Sequence, residues 1–357
     1  MAREYEIAVI AGDGIGPEVV RQGLRVLERV AALEGFTVRT TSYPFGAEHY
    51  LETKEIFPES AFTEIKDRDA ILLGAIGDPR IEVGLLEFGI IAKLRFDLDL
   101  FVNLRPVKLY AEHLCPLKDV TPEQVDFVVV RENTEDAYAG MRGFFKKGTP
   151  DEVATQEIIF TRKGVERVIR YAFELARKRS RSKLTLIDKA NAVRAMDLWT
   201  RTFAEVGAEY PDITREHNYI DAACMYVVRD PGQYDTVVTS NMFGDIFTDL
   251  SAMIQGGLGV AASGNIHPGR VSLFEPIHGS APKYAGRNLA NPIATIMAVQ
   301  MMLDYLGEAQ AAARIEDAVA RLLRSKRMPS LGTDSGISTV DIGSLVIGEL
   351  DQVPVGR

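Results

Sequence analysis

Short apolar runs alternate along this chain with longer stretches whose apolar positions recur every three or four residues. The first pattern suits a buried strand, the second a helix with one face on a core. Ile7–Ala11 predicts a strand, Gly16–Leu33 a helix and Phe36–Tyr43 a second strand. Ala70–Gly74, rich in Ile and Leu, predicts a buried strand. Further along, Val125–Val130, Leu184–Ile187 and Thr236–Thr239 predict strands; Thr161–Arg179, Ala192–Val206 and Pro292–Leu306 predict helices. This alternation predicts an α/β fold with a mainly parallel sheet flanked by helices. One stretch breaks it. Ala139–Pro150 is Gly-rich, carries Phe144-Phe145 and Lys146-Lys147, and is followed by an extended segment, Val153–Phe160. Such a pair resembles an arm that clasps another subunit. With no repeat and no long linker, two domains are expected to be interwoven along the chain.

Composition narrows the classes. At about 150 residues per domain, 357 residues allow roughly two domains. The formal charge of −9 argues against nucleic acid as the main partner. Two cysteines, Cys115 and Cys224, cannot form a disulfide framework, which favours a reducing, cytoplasmic setting. The N-terminus enters a strand-like run at once, without a signal-peptide pattern. No apolar run approaches the ~20 residues of a membrane helix. The densest basic run, Arg177–Lys183, follows a predicted helix, where positive charge complements the helix dipole.

Five clusters could carry chemistry. Gly12-Asp13-Gly14-Ile15-Gly16-Pro17-Glu18 lies between a strand and a helix, where glycine lets the backbone turn sharply or approach a ligand. Its spacing is G-x-G-x-G, not the dinucleotide fingerprint G-x-G-x-x-G. Arg95, Arg105 and Arg131 sit at strand ends and turns, positions from which arginine can hold carboxylates bidentately. Any one of them alone is more simply a surface ion pair. If Asn241–Asp249 opens a helix, Asp245 and Asp249 share a face and repel unless a cation lies between them. Hard divalent ions take such oxygen ligands, and Asp221 supplies a third carboxylate. Carboxylates near a helix N-terminus also gain from the dipole without any metal. Asp188-Lys189-Ala190-Asn191 follows a strand and offers a lysine for proton transfer, or merely a solvated charge. Phe274–Tyr284 is a Gly/Ser/Pro-rich loop presenting His278, Lys283 and Tyr284, able to cradle a nucleotide or to be an irregular loop.

Taken in order, Gly12–Glu18, Asn103–Pro106, Arg131–Gly140, Asp188–Asn191, Asn241–Asp249 and His278–Tyr284 resemble the isocitrate/isopropylmalate dehydrogenase family of metal-dependent β-decarboxylating dehydrogenases over nearly the whole chain. The resemblance implies an isopropylmalate dehydrogenase-like fold: two interwoven α/β domains with a central mixed sheet, not a standard Rossmann domain. It implies a large cofactor-binding domain of residues 1–101 and 255–357 and a small domain of residues 102–254 with a dimer arm at about 139–160. Arg95, Arg105 and Arg131 would clamp the malate carboxylates. Asp221, Asp245 and Asp249 would hold Mg²⁺ or Mn²⁺. The active site is expected to be shared across a homodimer, or within a tetramer, with Lys189 and Asp221 coming from the neighbouring subunit. Lys189, through water and Asp221, would take the hydroxyl proton. Tyr138 would protonate carbon after CO2 leaves, helped by nearby Lys189. The cofactor would lie along Ile15, Glu275, His278, Gly279, Ser280, Ala281, Lys283, Tyr284 and Asn291.

Substrate choice is expected in Glu87–Arg95. Isocitrate enzymes carry Ser and Asn at the positions of Gly89 and Ile91, whereas isopropylmalate enzymes carry two Leu residues. Ile90 and Ile91, or Ile91 and Ala92, fit the apolar role, since burying a carboxylate against Ile without a partner is costly. Asn191 is a further substrate-side residue, and Ala192 stands where a larger aliphatic is common, which enlarges the pocket. The expected reaction is therefore oxidative decarboxylation of 3-isopropylmalate to 4-methyl-2-oxopentanoate in leucine biosynthesis, ahead of D-malate, tartrate, homoisocitrate or isocitrate. NAD⁺ is the expected cofactor. Lys283-Tyr284 is half of an NADP⁺ signature that Thr333–Val346 does not complete, which keeps NADP⁺ as the alternative. A non-catalytic regulatory paralogue would be expected to lose some of these carboxylates or the lysine, and all are present.

Overall fold

The structure is a computed structural model that describes residues 3–333 and 335–352. Asp334, inside the segment read for a cofactor signature, lies outside the described residues, as do Met1, Ala2 and residues 353–357. β1 (Glu4–Gly12) leads through a glycine turn into α1 (Gly16–Glu34), β2 (Thr37–Tyr43), α2 (Ala47–Thr53), α3 (Glu59–Ile65) and β3 (Ala70–Ala75). A π-helical turn over Glu87–Ala92 runs into α4 (Lys93–Asp97). Then come β4 (Val102–Lys108), β5 (Asp126–Glu132), the hairpin strands β6 (Arg142–Phe145) and β7 (Val153–Gln156), and α5 (Arg162–Lys178). β8 (Lys183–Asp188), α6 (Asp197–Gly207), β9 (Thr214–Tyr219), α7 (Ile220–Arg229), β10 (Thr236–Thr239) and α8 (Asn241–Ile254) follow. The last described elements are β11 (Ala262–Ile266), β12 (Ser272–Pro276), α9 (Ile293–Tyr305), α10 (Ala309–Arg324) and α11 (Thr339–Leu350).

The chain forms two compact units and passes between them more than once. One comprises the chain up to Leu100, Lys108–Pro122, and the chain from Ala252 onward; the other comprises Phe101–Val107 and Glu123–Ser251. Lys108–Pro122, assigned from sequence to the small domain, belongs with the first unit for a local reason. The Lys108 N–H donates to Gln255 and its ammonium to Glu316.

In the first unit the strands lie in the order β2-β1-β3-β12-β11. β1 pairs parallel with β2 and β3, β12 parallel with β3, and β11 antiparallel with β12. β3 is buried along its whole length, as its composition predicts. α1 buries Val19, Val20, Gly23, Val26, Leu27 and Val30, the helical-period face, and ends at Gly35 in the left-handed region (φ +73°) where glycine is favoured.

In the second unit the order is β4-β5-β10-β8-β9, with β5, β10, β8 and β9 mutually parallel where they pair. α5 starts on Thr161, whose hydroxyl accepts from the Gly164 N–H, a standard N-cap. Its buried face places Phe173 in stacks on Phe203 and Tyr210 at 5.4 and 4.8 Å between ring centres. The basic run beyond α5 is tied to acids: Arg177 to Asp212, Arg179 to Asp126 and Asp235, Lys183 to Glu216. Val153–Phe160, expected to be extended throughout, is strand only over Val153–Gln156, where it pairs antiparallel with β6. The predicted helix Ala192–Val206 begins as a 3-10 turn, Arg194–Met196, and becomes α-helical at Asp197.

Candidate active site

The second unit gathers most of the charged candidates. Arg131 closes β5 with 2% of its surface exposed, and Arg105 lies on β4 with 5% exposed. Buried guanidinium groups need acceptors around the fork. Arg131 donates from Nε and Nη2 to Asn241 Oδ1 at 3.0 and 2.8 Å and from Nη1 to Asp245 Oδ1 at 2.5 Å. Arg105 donates to Asn103 Oδ1 and Thr248 Oγ1, each at 2.6 Å, and reaches Asp245 Oδ1 at 3.1 Å and Asp249 Oδ1 at 3.6 Å. α8 presents Asp245 and Asp249 one turn apart, as their spacing predicts. Gly244 allows that approach: a Cβ there would lie 2.6 Å from Arg131 Cγ. Tyr138, on the 3-10 turn Asp136–Ala139, donates its hydroxyl to Asp245 Oδ2 at 3.3 Å beneath the Arg131 guanidinium.

Electrostatics inside this cluster favour a cation. Burial first, then repulsion from Asp245, pushes the Asp249 carboxyl up despite Arg105 and Arg131. Two oxygen-donor carboxylates in mutual repulsion, with the Asp249 side chain still 57% exposed, suit a hard divalent ion. Among the described residues, however, no three acidic, His or Cys side chains converge to hold a metal. Asp221 therefore does not join Asp245 and Asp249 within one protomer. Burial, then the facing Asp245, raises the Tyr138 phenol.

Lys189 and Asp221 form a separate pair in the same unit. Lys189 follows β8 directly, Asp221 lies in the first turn of α7, and the ammonium donates to Asp221 Oδ1 at 2.7 Å. The ammonium holds the Asp221 carboxyl below its usual range. Asn191 and Ala192 are exposed in the same turn, with the Ala192 N–H bonded back to the Lys189 carbonyl.

In the first unit, four of the cofactor candidates, Gly279, Ser280, Ala281 and Lys283, line a cleft. The Ile15 N–H donates to the Ser280 carbonyl at 2.8 Å. Gly14 (φ +58°) is required here, because a Cβ would stand 2.0 Å from that carbonyl oxygen. Asp13, missed as a functional residue, accepts from the Ala47 and Gly77 N–H groups at 2.6 and 2.8 Å and so joins three loops. The cleft, of about 710 Å³, opens between Ile76–Glu87 and Gly279–Lys283. Beside this loop, Glu275 is buried and accepts from Arg95 Nη2 at 2.9 Å and Asn265 Nδ2 at 2.8 Å. Among the described residues His278 Nε2 is buried without a hydrogen-bond partner, and burial pushes the imidazole below its ordinary value. An orphaned buried donor or acceptor in a cleft fits a polar ligand group. Lys283 lies over the Tyr284 ring at 4.8 Å, and hydrogen bonds with Thr333 and Lys283 lower the phenol's pKa.

Two assignments need correction. Ile90 is fully buried in the core with Ile10, Leu73, Leu86 and Leu94, which leaves its side chain no open surface to offer a substituent. The π-helical turn places it there and leaves Ile91 and Ala92 half-buried as the accessible apolar positions. Asn291, expected on the cofactor, is engaged at both ends of its amide. Its Nδ2 donates to the Leu331 carbonyl and its Oδ1 accepts from Ile293 N–H at the start of α9. Thr248 and Glu132 are further residues that motif reading passes over. Glu132 is wholly buried, is pushed up to about 7 by burial, and braces the loop after Arg131 through the Thr134 and Glu135 N–H groups.

A clamp of buried arginines facing carboxylates on one helix, in a chain that also carries a glycine-turn cleft, defines a carboxylate-handling α/β enzyme. The isocitrate/isopropylmalate dehydrogenase family model matches residues 6–346, and the chain belongs to that family. A relative from Thermobifida fusca named 3-isopropylmalate dehydrogenase is 52% identical over 328 residues, 91% of this chain and 93% of that protein. A second, from Clavibacter sepedonicus, carries the same name at 46% identity over 357 residues, 98% of this chain and 99% of that protein. Among solved structures, isocitrate dehydrogenase from Methylococcus capsulatus matches with a TM-score of 0.88 and 36% identity, over 98% of this chain and all of that one.

Proposed function

We propose that the protein oxidatively decarboxylates 3-isopropylmalate with NAD⁺ and Mg²⁺ or Mn²⁺, the step named for its relatives at 46–52% identity. The observation that carries the reaction class is the joining of Arg105, Arg131, Tyr138, Asp245 and Asp249 in one cluster. Arg105 and Arg131 bind the malate carboxylates, with Arg95 as the third arginine of the clamp. Asp245, Asp249 and a partner copy's Asp221 hold the divalent ion, whose chemistry is to acidify the α-hydroxyl and stabilise enolate charge. Lys189, after passing an ammonium proton to solvent through Asp221, takes the hydroxyl proton as a neutral amine. Tyr138, held neutral by burial and Asp245, returns a proton to carbon after CO2 departs. His278, Gly279, Ser280, Ala281 and Ile15 border the dinucleotide, which supplies the hydride acceptor when bound.

Local packing favours an apolar substituent. A Cβ at Gly89 would meet Ile56 Cγ2 at 2.5 Å, leaving no room for the serine that greets a γ-carboxylate. Lys93 is committed to Asp97 at 2.7 Å and Glu59 at 3.3 Å. Ile91 and Ala92 are left to meet the substituent. On the cofactor, Lys283 beside Tyr284 supports NADP⁺ as a second reading.

A homodimer with shared sites follows from the same reading. Exposed Met225 and Val228 on α7, Ile246 on α8, and Phe144 and Phe145 on the hairpin are an apolar surface suited to a second copy. No described helix is long and apolar enough to cross a membrane, and a cytoplasmic biosynthetic enzyme is the setting proposed. The test is reduction of NAD⁺ and of NADP⁺ by the purified protein with 3-isopropylmalate, isocitrate, homoisocitrate, D-malate and tartrate in turn. The highest kcat/KM is expected with 3-isopropylmalate and NAD⁺. A clear preference for isocitrate would overturn the apolar-pocket argument.

A further inference from the structure

We propose that His217 is a positioning residue for Lys189, acting through Asp188; the inference rests on reading Lys189 as the proton-accepting group. β8 and β9 run parallel, with Asp188 opposite Tyr219 and Leu186 opposite His217. Asp188 is fully buried, and its Oδ1 accepts from His217 Nε2 and from the Ala190 N–H, both at 3.0 Å. Its Oδ2 has no hydrogen-bond partner among the described residues. A carboxylate in that position needs a cation, since an unpaired buried charge is strongly unfavourable. The neighbouring ammonium of Lys189 does not serve it, being turned to Asp221 at 2.7 Å. His217 meets it instead, its Nε2 at 3.0 Å from Oδ1, with the Tyr219 ring packed edge-on against its imidazole at 5.1 Å. The bond to Asp188 raises the imidazole's affinity for its proton.

Two rungs thus cross between the same two segments. His217–Asp188 and Asp221–Lys189 both connect the β9–α7 junction to the turn after β8. The turn itself is tied by the Ala192 and Val193 N–H groups on the Lys189 carbonyl at 2.9 and 2.8 Å. Without His217, the Asp188 carboxylate is left to recruit another cation, and Lys189 is the next residue in the chain. Asp188 then competes with Asp221 for the ammonium and draws it out of the position from which it serves a substrate. His217 therefore occupies Asp188 so that Lys189 stays directed at Asp221.

The test is a set of substitutions in the full-length enzyme, assayed with the malate that the wild type oxidises best. His217→Ala is expected to lower kcat about 10–100-fold with the malate KM little changed, as a misplaced reacting group does. His217→Gln, which restores an N–H donor at similar reach, is expected to recover part of that loss. Adding Asp188→Asn to His217→Ala is expected to recover most of it, because no buried carboxylate is left to recruit Lys189. In a Lys189→Met background, His217→Ala is expected to have no further effect on residual kcat. A crystal structure of His217→Ala is expected to show Lys189 Nζ on Asp188, a readout independent of turnover. The inference is overturned if Asp188→Asn deepens the defect, if His217→Ala lowers residual kcat as much without Lys189, or if Lys189 stays on Asp221 in the variant. Full activity of Lys189→Met would instead overturn the reading of Lys189 itself.

Discussion

Within the second unit, two groups of charged residues are built in opposite ways. Around Arg105 and Arg131 the charges are buried, shared among several partners and braced by Asn103, Asn241 and Thr248. Lys189 and Asp221 form a simple pair, with the Asp221 side chain 66% exposed. The first group is organised before any ligand arrives, as a preorganised anion clamp should be. The second is a pair without a clamp, and among the described residues it belongs to no group of three or more acidic, His or Cys side chains that could hold a metal. On the proposed reading, the lysine pair completes a clamp on another copy of the chain.

Substitutions sharpen that contrast, and the largest effect is expected from the lysine. Lys189→Met should lower kcat by about 10²–10⁴-fold, the range for a lost acid–base group, with little change in melting temperature because its partner is solvent-exposed. A comparable loss of stability would show that the pair is structural. Next comes the metal. Chelation should abolish turnover, and Asp249→Asn should raise the Mg²⁺ concentration needed for half-maximal rate by tenfold or more. For the wild type, Mg²⁺ at about 100 times its Kd should stabilise the fold by about 2.7 kcal/mol. A melting temperature indifferent to Mg²⁺ would count against Asp245 and Asp249 as ligands.

The glycine turn gives a smaller effect in the other unit. Gly14→Ala places a methyl against the Ser280 carbonyl in a left-handed backbone position. It should cost about 1–3 kcal/mol, read mainly as a raised dinucleotide KM. The smallest effect is on stability against pH. Pairing with Asp188 raises the folded pKa of His217 above its ordinary 6.5. The contribution is therefore fully present below about 6.5 and is lost as pH rises through the raised folded value. The gap in melting temperature between wild type and His217→Gln should close as pH rises across that window. A gap independent of pH would show that the imidazole is not charged in the fold.

Much of this was legible in the residues. The four-residue spacing of Asp245 and Asp249 survives into the structure because a helix fixes which side chains share a face. α5 follows its apolar period and its Thr161 cap to within a residue at each end. Ile90 was not legible, since a π-helical turn changes the facing of successive residues in a way that α-helical spacing does not describe. Nor was the engagement of Asn291, whose partner Leu331 is forty residues away in sequence. Asp188 and His217 are likewise separated in sequence and meet only because β8 and β9 pair. Composition marks a residue type, and only tertiary pairing says which of its bonds are already made.

The shared site is tested most directly by mixing Lys189→Met and Asp249→Asn under conditions that exchange subunits, at a Mg²⁺ concentration too low for Asp249→Asn alone to turn over. In a mixed dimer, one site receives both intact residues and the other receives neither. Random exchange makes half the dimers mixed, so about a quarter of wild-type activity should return. If subunit exchange is demonstrated and no activity returns, the lysine and the metal carboxylates act within one protomer, and the account of two complementary half-sites is wrong.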